Sequence, residues 1–251
     1  MKTLSVSHLK GGVGKTTTAV NMAYLASQAG YKTLLVDLDA QAAATYLLRL
    51  DSGIGAGGKR IASAKKSLRD EIFASDHSGL DVLPASLSFR KLPVLLADEG
   101  HGQLRSMLKR VGKGYDLLVV DAPAGLSFES EEIADASDLA LVPVIPSPLG
   151  VATFQTYRDF VVKHTGRPIV RAFFSMVDMR RVVHRQFVEE MAGTPELWPV
   201  VIPNSAAVER MASDRAPLAL VKRPGKALAP TSELWNLCEE TLMKAKAATR
   251  D

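Results

Sequence analysis

The sequence predicts an α/β fold, a mostly parallel, doubly wound sheet flanked by helices. Three observations predict it. Short apolar runs alternate with longer stretches of helical periodicity from end to end. The first run leads straight into a glycine-rich loop and then a helix. Two later runs, residues 32–37 and 115–121, each end in an aspartate, at the edge where parallel sheets receive ligands.

The chain has 251 residues, 47% hydrophobic and 23% charged, an ordinary globular balance that can fill one sizeable core. A single domain over residues 1–251 is expected. The net charge of +4 admits an anionic partner without specifying one. Cys238 stands alone, which excludes an intrachain disulfide and a cysteine-pair metal site. No apolar run approaches the ~18 residues of a membrane span. The N-terminus reads as a strand rather than a signal peptide, so the expected address is the cytoplasm.

Residues 3–8 read as the first strand. Lys10-Gly11-Gly12-Val13-Gly14-Lys15-Thr16-Thr17 follows, and residues 18–28 read as a helix with Ala19, Val20, Met22, Ala23, Leu25 and Ala26 on one side. Glycines let the backbone curl so that several N–H groups face one anion, and the helix N-terminus adds to that field. Lys15 is placed to reach terminal phosphates, and the Thr16 hydroxyl to ligate Mg2+. The common phosphate-loop pattern, glycine-x4-Gly-Lys-Ser/Thr, is not met in full. Its first glycine position is Leu9, and Lys10 before a glycine pair stands instead.

After Gly30, a plausible helix stop, residues 32–37 form a second strand. It ends in Asp37-Leu38-Asp39-Ala40-Gln41, two acids one residue apart. Residues 41–50 read as a helix and 51–58 as a glycine-rich loop. Lys59, Arg60, Lys65, Lys66 and Arg69, interleaved with apolar residues, read as a solvated helix face, with a partner or nucleic-acid contact as the alternative. Residues 81–84 are a short strand; 87–97 and 102–111 are helices. In residues 115–121, four apolar residues hold a strand in the sheet centre so that Asp121 emerges near a metal. Helices at 129–136 and 149–162 alternate with strands at 138–145 and 168–177. A helix then runs from about His184 to Met191, and a last strand, 198–202, ends at Pro203-Asn204. The five histidines show no ligand spacing. Residues 232–249 form an amphipathic tail expected to pack on the domain rather than on a membrane. Basic residues recur late in the chain at Arg180, Arg181, Arg185, Arg210, Arg215, Lys222 and Arg223.

Lys10 ahead of its glycine pair is the signature of the deviant Walker A motif. With Asp37, Asp39 and the Walker B-like run to Asp121, the chain resembles the ParA/MinD family of partitioning and positioning ATPases, which have the P-loop NTPase fold. The likeness is carried by residues 10–17, 37–41 and 117–125. It implies that Gly11, Gly12, Val13, Gly14, Lys15, Thr16 and Thr17 bind ATP, with Met176, Pro203 and Asn204 at the adenine. It places Thr16, Asp37, Asp39 and Asp121 around Mg2+. It gives catalytic roles to Lys10, Lys15 and Asp39: Lys10 reaches across an ATP-dependent homodimer, and Asp39 orients the water.

The resemblance further implies non-specific binding to nucleoid DNA by the late basic residues, and a partner protein that stimulates hydrolysis. The output would be positioning of a cargo such as a plasmid, a chromosome or a protein body. Three residues depart from the family pattern: Ala40 and Ala124 replace prolines, and Ala207 falls where an arginine is usual. A nitrogenase-iron-protein-like carrier is excluded by the single cysteine. A MinD-like membrane ATPase would need a lipid-binding tail, and a metabolic ATP-dependent ligase would need a second substrate pocket. A non-enzymatic nucleotide-binding module would follow if Ala40 and Ala124 disabled the switches.

Overall fold

The computed structural model describes residues 1–50, 68–85 and 91–243. The expected loop at 51–58, the basic stretch from Lys59 to Lys66, the start of the helix at 87–97 and the last residues of the tail fall outside these.

Eight strands make one sheet: β1 (Lys2–His8), β2 (Thr33–Asp37), β3 (Phe73–Ala74), β4 (Leu80–Leu83), β5 (Leu117–Ala124), β6 (Leu139–Val144), β7 (Ile169–Val177) and β8 (Leu197–Pro203). Their order is β3-β4-β2-β5-β1-β6-β7-β8. All neighbouring pairs are parallel except β3–β4. The predicted fold class is therefore the observed one. The two-residue edge strand β3 was not expected, being too short to show a period.

The helices among the described residues are α1 (Lys15–Gln28), α2 (Ala43–Leu47), α3 (Leu92–Glu99), α4 (Gln103–Val111), α5 (Phe128–Ala136), α6 (Pro148–His164), α7 (Val182–Glu190), α8 (Ala206–Asp214) and α9 (Leu228–Leu242). Three differ from expectation. The helix predicted at 41–50 shrinks to α2, because Ala42 (φ 56°) and Arg49 (φ 61°) are left-handed and break the helical path at both ends. Helix α8 was not anticipated, although Ser205 caps it by accepting from the Ala207 N–H at 3.2 Å. Helix α9 starts four residues before Ser232, since Pro230 lies in the first turn, where no N–H is needed.

The central strands divide their side chains by period two. Leu35, Leu117 and Val119 pack with Met22 and Ala23 of α1 and with Leu234 and Trp235 of α9. Leu34, Val36, Leu118 and Val120 pack with Leu104, Met107 and Leu108 of α4 and Ile133 of α5. The described part of the tail thus covers the sheet, with Cys238 buried beneath it. Among the described residues no helix is long and apolar enough to cross a membrane.

Candidate functional site

The strand order puts β2, β5 and β1 side by side, so their C-terminal ends share one edge. Asp37 and Asp121 are register partners there, and Val6 pairs with Asp121 on the other side. The glycine loop leaves β1 at this edge. Gly12 (φ 73°) and Gly14 (φ 98°) take left-handed conformations that a side chain would strain. A Cβ on Gly14 would also come within 3.0 Å of Ser175 Oγ on β7.

Lys15 is buried, and its ammonium donates to the Lys10 carbonyl at 3.2 Å, closing the loop on itself. Burial lowers the Lys15 pKa, while Asp121 and Asp39 oppose the shift. The Lys10 N–H donates to His8 Nδ1 at 2.9 Å. Burial and the neighbouring Lys15 charge push the His8 pKa down to about 4, so the imidazole stays neutral.

Asp37 is fully buried and well partnered. Its Oδ2 accepts from the Thr45 N–H (2.9 Å) and hydroxyl (2.7 Å), and its Oδ1 from the Asp39 N–H (3.2 Å). Burial still outweighs these bonds and raises its pKa to about 6. Asp39 turns back locally, with Oδ1 accepting from the Gln41 N–H at 2.9 Å. Asp121 is the contrast. It is fully buried, and neither carboxylate oxygen meets the geometry of a hydrogen bond among the described residues. The Thr16 hydroxyl is near enough to ease the charge, as is Lys15. Burial and the adjacent Asp37 nevertheless drive its pKa well up. A buried carboxylate without partners is costly, and a cation beside it removes the cost.

The donor set fits Mg2+: hard oxygens on Thr16 and Asp121, with Asp37 and Asp39 close by. Among the described residues no three His, Cys, Asp or Glu are arranged to hold a metal by themselves. Mg2+ held by one or two such oxygens keeps several waters and takes further oxygens from a phosphate.

A cavity of about 700 Å³ opens above the loop. Of the residues expected at the nucleotide, Gly11, Gly12, Gly14, Lys15, Thr16, Thr17, Met176, Pro203 and Asn204 line it, as does Asp39. Val13 does not; its side chain is buried beneath the loop. Lys10, Asp37 and Asp121 lie outside the lining. Apolar Ile202, Val208, Leu218 and Leu234 line the cavity as well. Sequence reasoning missed these last residues because only the fold gathers them. It missed Thr45 too, since nothing in the spacing marks a residue eight positions beyond Asp37 as its donor. The signal for His8 was position alone: it is the last strand residue before the loop.

The late basic residues do not share one environment. Arg180 is forked onto Asp178, Nε to Oδ1 and Nη2 to Oδ2, both at 2.9 Å. Arg185 donates to the Met179 carbonyl at 2.8 Å. Arg210 donates to the Arg223 carbonyl at 3.0 Å. Arg215 donates from Nε to the Tyr46 carbonyl (2.8 Å) and lies 4.5 Å over the Tyr46 ring, which leaves its outer N–H groups for any phosphate. Among the described residues, the side chains of Arg181, Lys222 and Arg223 make no hydrogen bond or ion pair.

Residues 1–166 match the family model described as an AAA domain. A ParA family protein of Chlamydia trachomatis is 31% identical over 166 residues, covering 64% of this chain and 65% of that protein. The match therefore spans less than two thirds of that relative's length. The sporulation initiation inhibitor protein Soj of Bacillus subtilis is 28% identical over 229 residues, 87% of this chain and 90% of Soj. Among solved structures, a Cyanothece McdA–ATP complex superposes with TM-score 0.80 at 21% identity, covering 96% of each chain. The cell division ATPase MinD of Pyrococcus furiosus gives TM-score 0.77 at 20% identity over 95% of this chain and 98% of MinD. At such identities the two structures establish the shared fold.

Proposed function

The chain belongs to the ParA/MinD family of P-loop ATPases, and from that premise we propose that it is an ATP-driven positioning switch. In this reading it binds ATP, closes into a homodimer that holds DNA without sequence preference, and lets go when a partner protein stimulates hydrolysis. The observation that carries the reading is the fully buried Asp121 carboxylate, whose oxygens make no hydrogen bond of good geometry among the described residues, next to Thr16 and Lys15, which line the cavity. That arrangement is costly when empty and favourable around a metal–phosphate group.

The chain's own residues divide the work. The loop N–H groups and Lys15 bind the β- and γ-phosphates. Thr16 and Asp121 would hold Mg2+, with Asp37 and Asp39 close by; a metal bound there would supply positive charge to the phosphates. Asp39 faces the cavity and orients the attacking water. Lys10, whose side chain is not needed for the loop's own bonds, reaches the partner subunit's nucleotide and stabilises developing charge. Met176 and Asn204 flank the base. Arg181, Arg185, Arg210, Lys222 and Arg223, with the outer groups of Arg180 and Arg215, supply phosphate contacts that need only charge at the right spacing. The site of action is the nucleoid in the cytoplasm, and the cargo is a plasmid, chromosome or protein body.

Binding to random-sequence duplex DNA tests this, with ATP, ADP or no nucleotide, at two salt concentrations. Wild type should bind only with ATP and more weakly in high salt. Lys15→Gln should fail to bind, and Asp39→Ala should bind and persist. Absence of DNA binding in every nucleotide state would remove the DNA half of the proposal.

A further inference from the structure

Lys10 is held through its backbone on both sides. Its N–H donates to His8 Nδ1 at 2.9 Å, and its carbonyl accepts from Lys15 Nζ at 3.2 Å. Neither bond uses the Lys10 side chain. His8 is only 2% exposed, so its ring is fixed by packing. It ends β1 at a register irregularity: Val6 pairs with Asp121, but His8 pairs with Ala124. One residue therefore ties the signature lysine to the strand that carries Asp121 and to the stretch that follows it.

The chemistry of the bond is specific. Nδ1 can accept only if it carries no proton, so the neutral ring must hold its hydrogen on Nε2. Nε2 has no partner among the described residues. A protonated ring would present N–H to N–H and break the contact. Burial and the flanking Lys15 and Lys10 charges disfavour that form.

We infer that His8 is a positioning residue, which accepts the Lys10 N–H and so sets the direction in which the Lys10 side chain leaves the loop. The inference rests on the proposed role of Lys10 in ATP hydrolysis. It says that a side chain with no contact to phosphate governs turnover through the geometry of one that has it.

Two variants and one spectroscopic measurement test it. His8→Asn keeps an acceptor able to reach the N–H two residues on, as in an Asx turn. His8→Leu fills similar volume without one. ATP turnover in the presence of DNA should fall roughly tenfold in kcat for His8→Leu, the equivalent of about 1.4 kcal/mol, with KM for ATP little changed. His8→Asn should recover most of it. The double variant Lys10→Ala with His8→Leu should be no slower than Lys10→Ala, because both act through one group. Equal losses in His8→Asn and His8→Leu, or an additive double variant, would overturn the inference.

The bond itself can be read without turnover. In wild-type protein carrying 15N-labelled histidine, NMR at neutral pH should show His8 with Nδ1 bare and Nε2 protonated. The opposite tautomer overturns the inference whatever the ATPase does. If wild type shows the expected tautomer and binds Mg2+–ATP but hydrolyses none with DNA, the positioning role in turnover is overturned while the nucleotide-binding reading stands. His8 would then be a structural acceptor only.

Discussion

Arg49 and Arg215 hold the ends of two helices together, each donating its guanidinium to the other's stretch of backbone. Arg49 reaches the Arg215 and Asp214 carbonyls at 3.1 and 3.2 Å, and Arg215 reaches the Tyr46 carbonyl at 2.8 Å. Both residues are left-handed, φ 61° and 47°, a conformation that costs a non-glycine residue roughly 1–2 kcal/mol. The pair ties the end of α2, whose Thr45 holds Asp37, to the end of α8, whose Val208, Glu209 and Ala212 line the cavity.

Arg215→Ala is expected to lower the unfolding free energy by about 1 kcal/mol, read by urea denaturation. Arg49→Ala should cost a similar amount, and the double variant less than the sum, because the bonds share one contact. A fully additive double variant would show that the two arginines act independently.

Thr45 sits between two buried groups. Its hydroxyl donates to Asp37 and accepts the Ala85 N–H at 2.9 Å. Thr45→Val keeps the shape but leaves one carboxylate oxygen with a bond fewer and one buried N–H unpaired. The expected cost is about 1–3 kcal/mol of stability by thermal or urea unfolding. A change within experimental error would show that the Asp37 environment relaxes around the loss.

Much of this was legible in the chain. The strands around the glycine loop, and the acids at residues 37, 39 and 121, stood out because buried parallel strands are continuous apolar runs and their final residues change character abruptly. Helix α2 was over-extended because the left-handed breaks at Ala42 and Arg49 fall on residues that are not glycine and give no local warning. Helix α8 carried a readable Ser205 cap, but its short apolar stripe lay among charges and was lost beside the basic residues. The partners of Arg215 and Asp37 are contacts across the fold or between successive elements, which no single-sequence period encodes.

Asp121→Asn separates stability from ligand binding. Replacing the orphaned carboxylate with a neutral amide should raise the melting temperature of the nucleotide-free protein, since burying a charge is the larger cost. The same variant should lose the additional stabilisation that wild type gains from ATP with Mg2+. Differential scanning calorimetry with and without Mg2+–ATP reads both. A destabilised nucleotide-free variant would mean that the carboxylate has a partner in solution.

Glu129, in the first turn of α5, is buried with Oε1 unpartnered among the described residues, and burial followed by Asp39 raises its pKa to about 8. The sign follows by linkage. Between the unfolded value near 4.5 and the folded value, the folded protein holds a proton that the unfolded chain has released. Stability therefore falls as pH rises through that window, by at most about 1.4 kcal/mol per pH unit. Asp37, raised to about 6, acts with the same sign at lower pH. Glu129→Gln should gain stability over wild type progressively from pH 5 to pH 8 in urea titrations. A constant offset between the two curves would show that Glu129 ionises normally.

The central claim is that the cavity above the glycine loop is a Mg2+-dependent ATP site. Isothermal titration of ATP into the protein, with Mg2+ or with EDTA, for wild type and Lys15→Gln, tests it most directly. The account predicts saturable binding to wild type at one ATP per chain with Mg2+, weakened at least tenfold by EDTA and again by Lys15→Gln. No binding to wild type, or binding indifferent to both Mg2+ and Lys15, would contradict it.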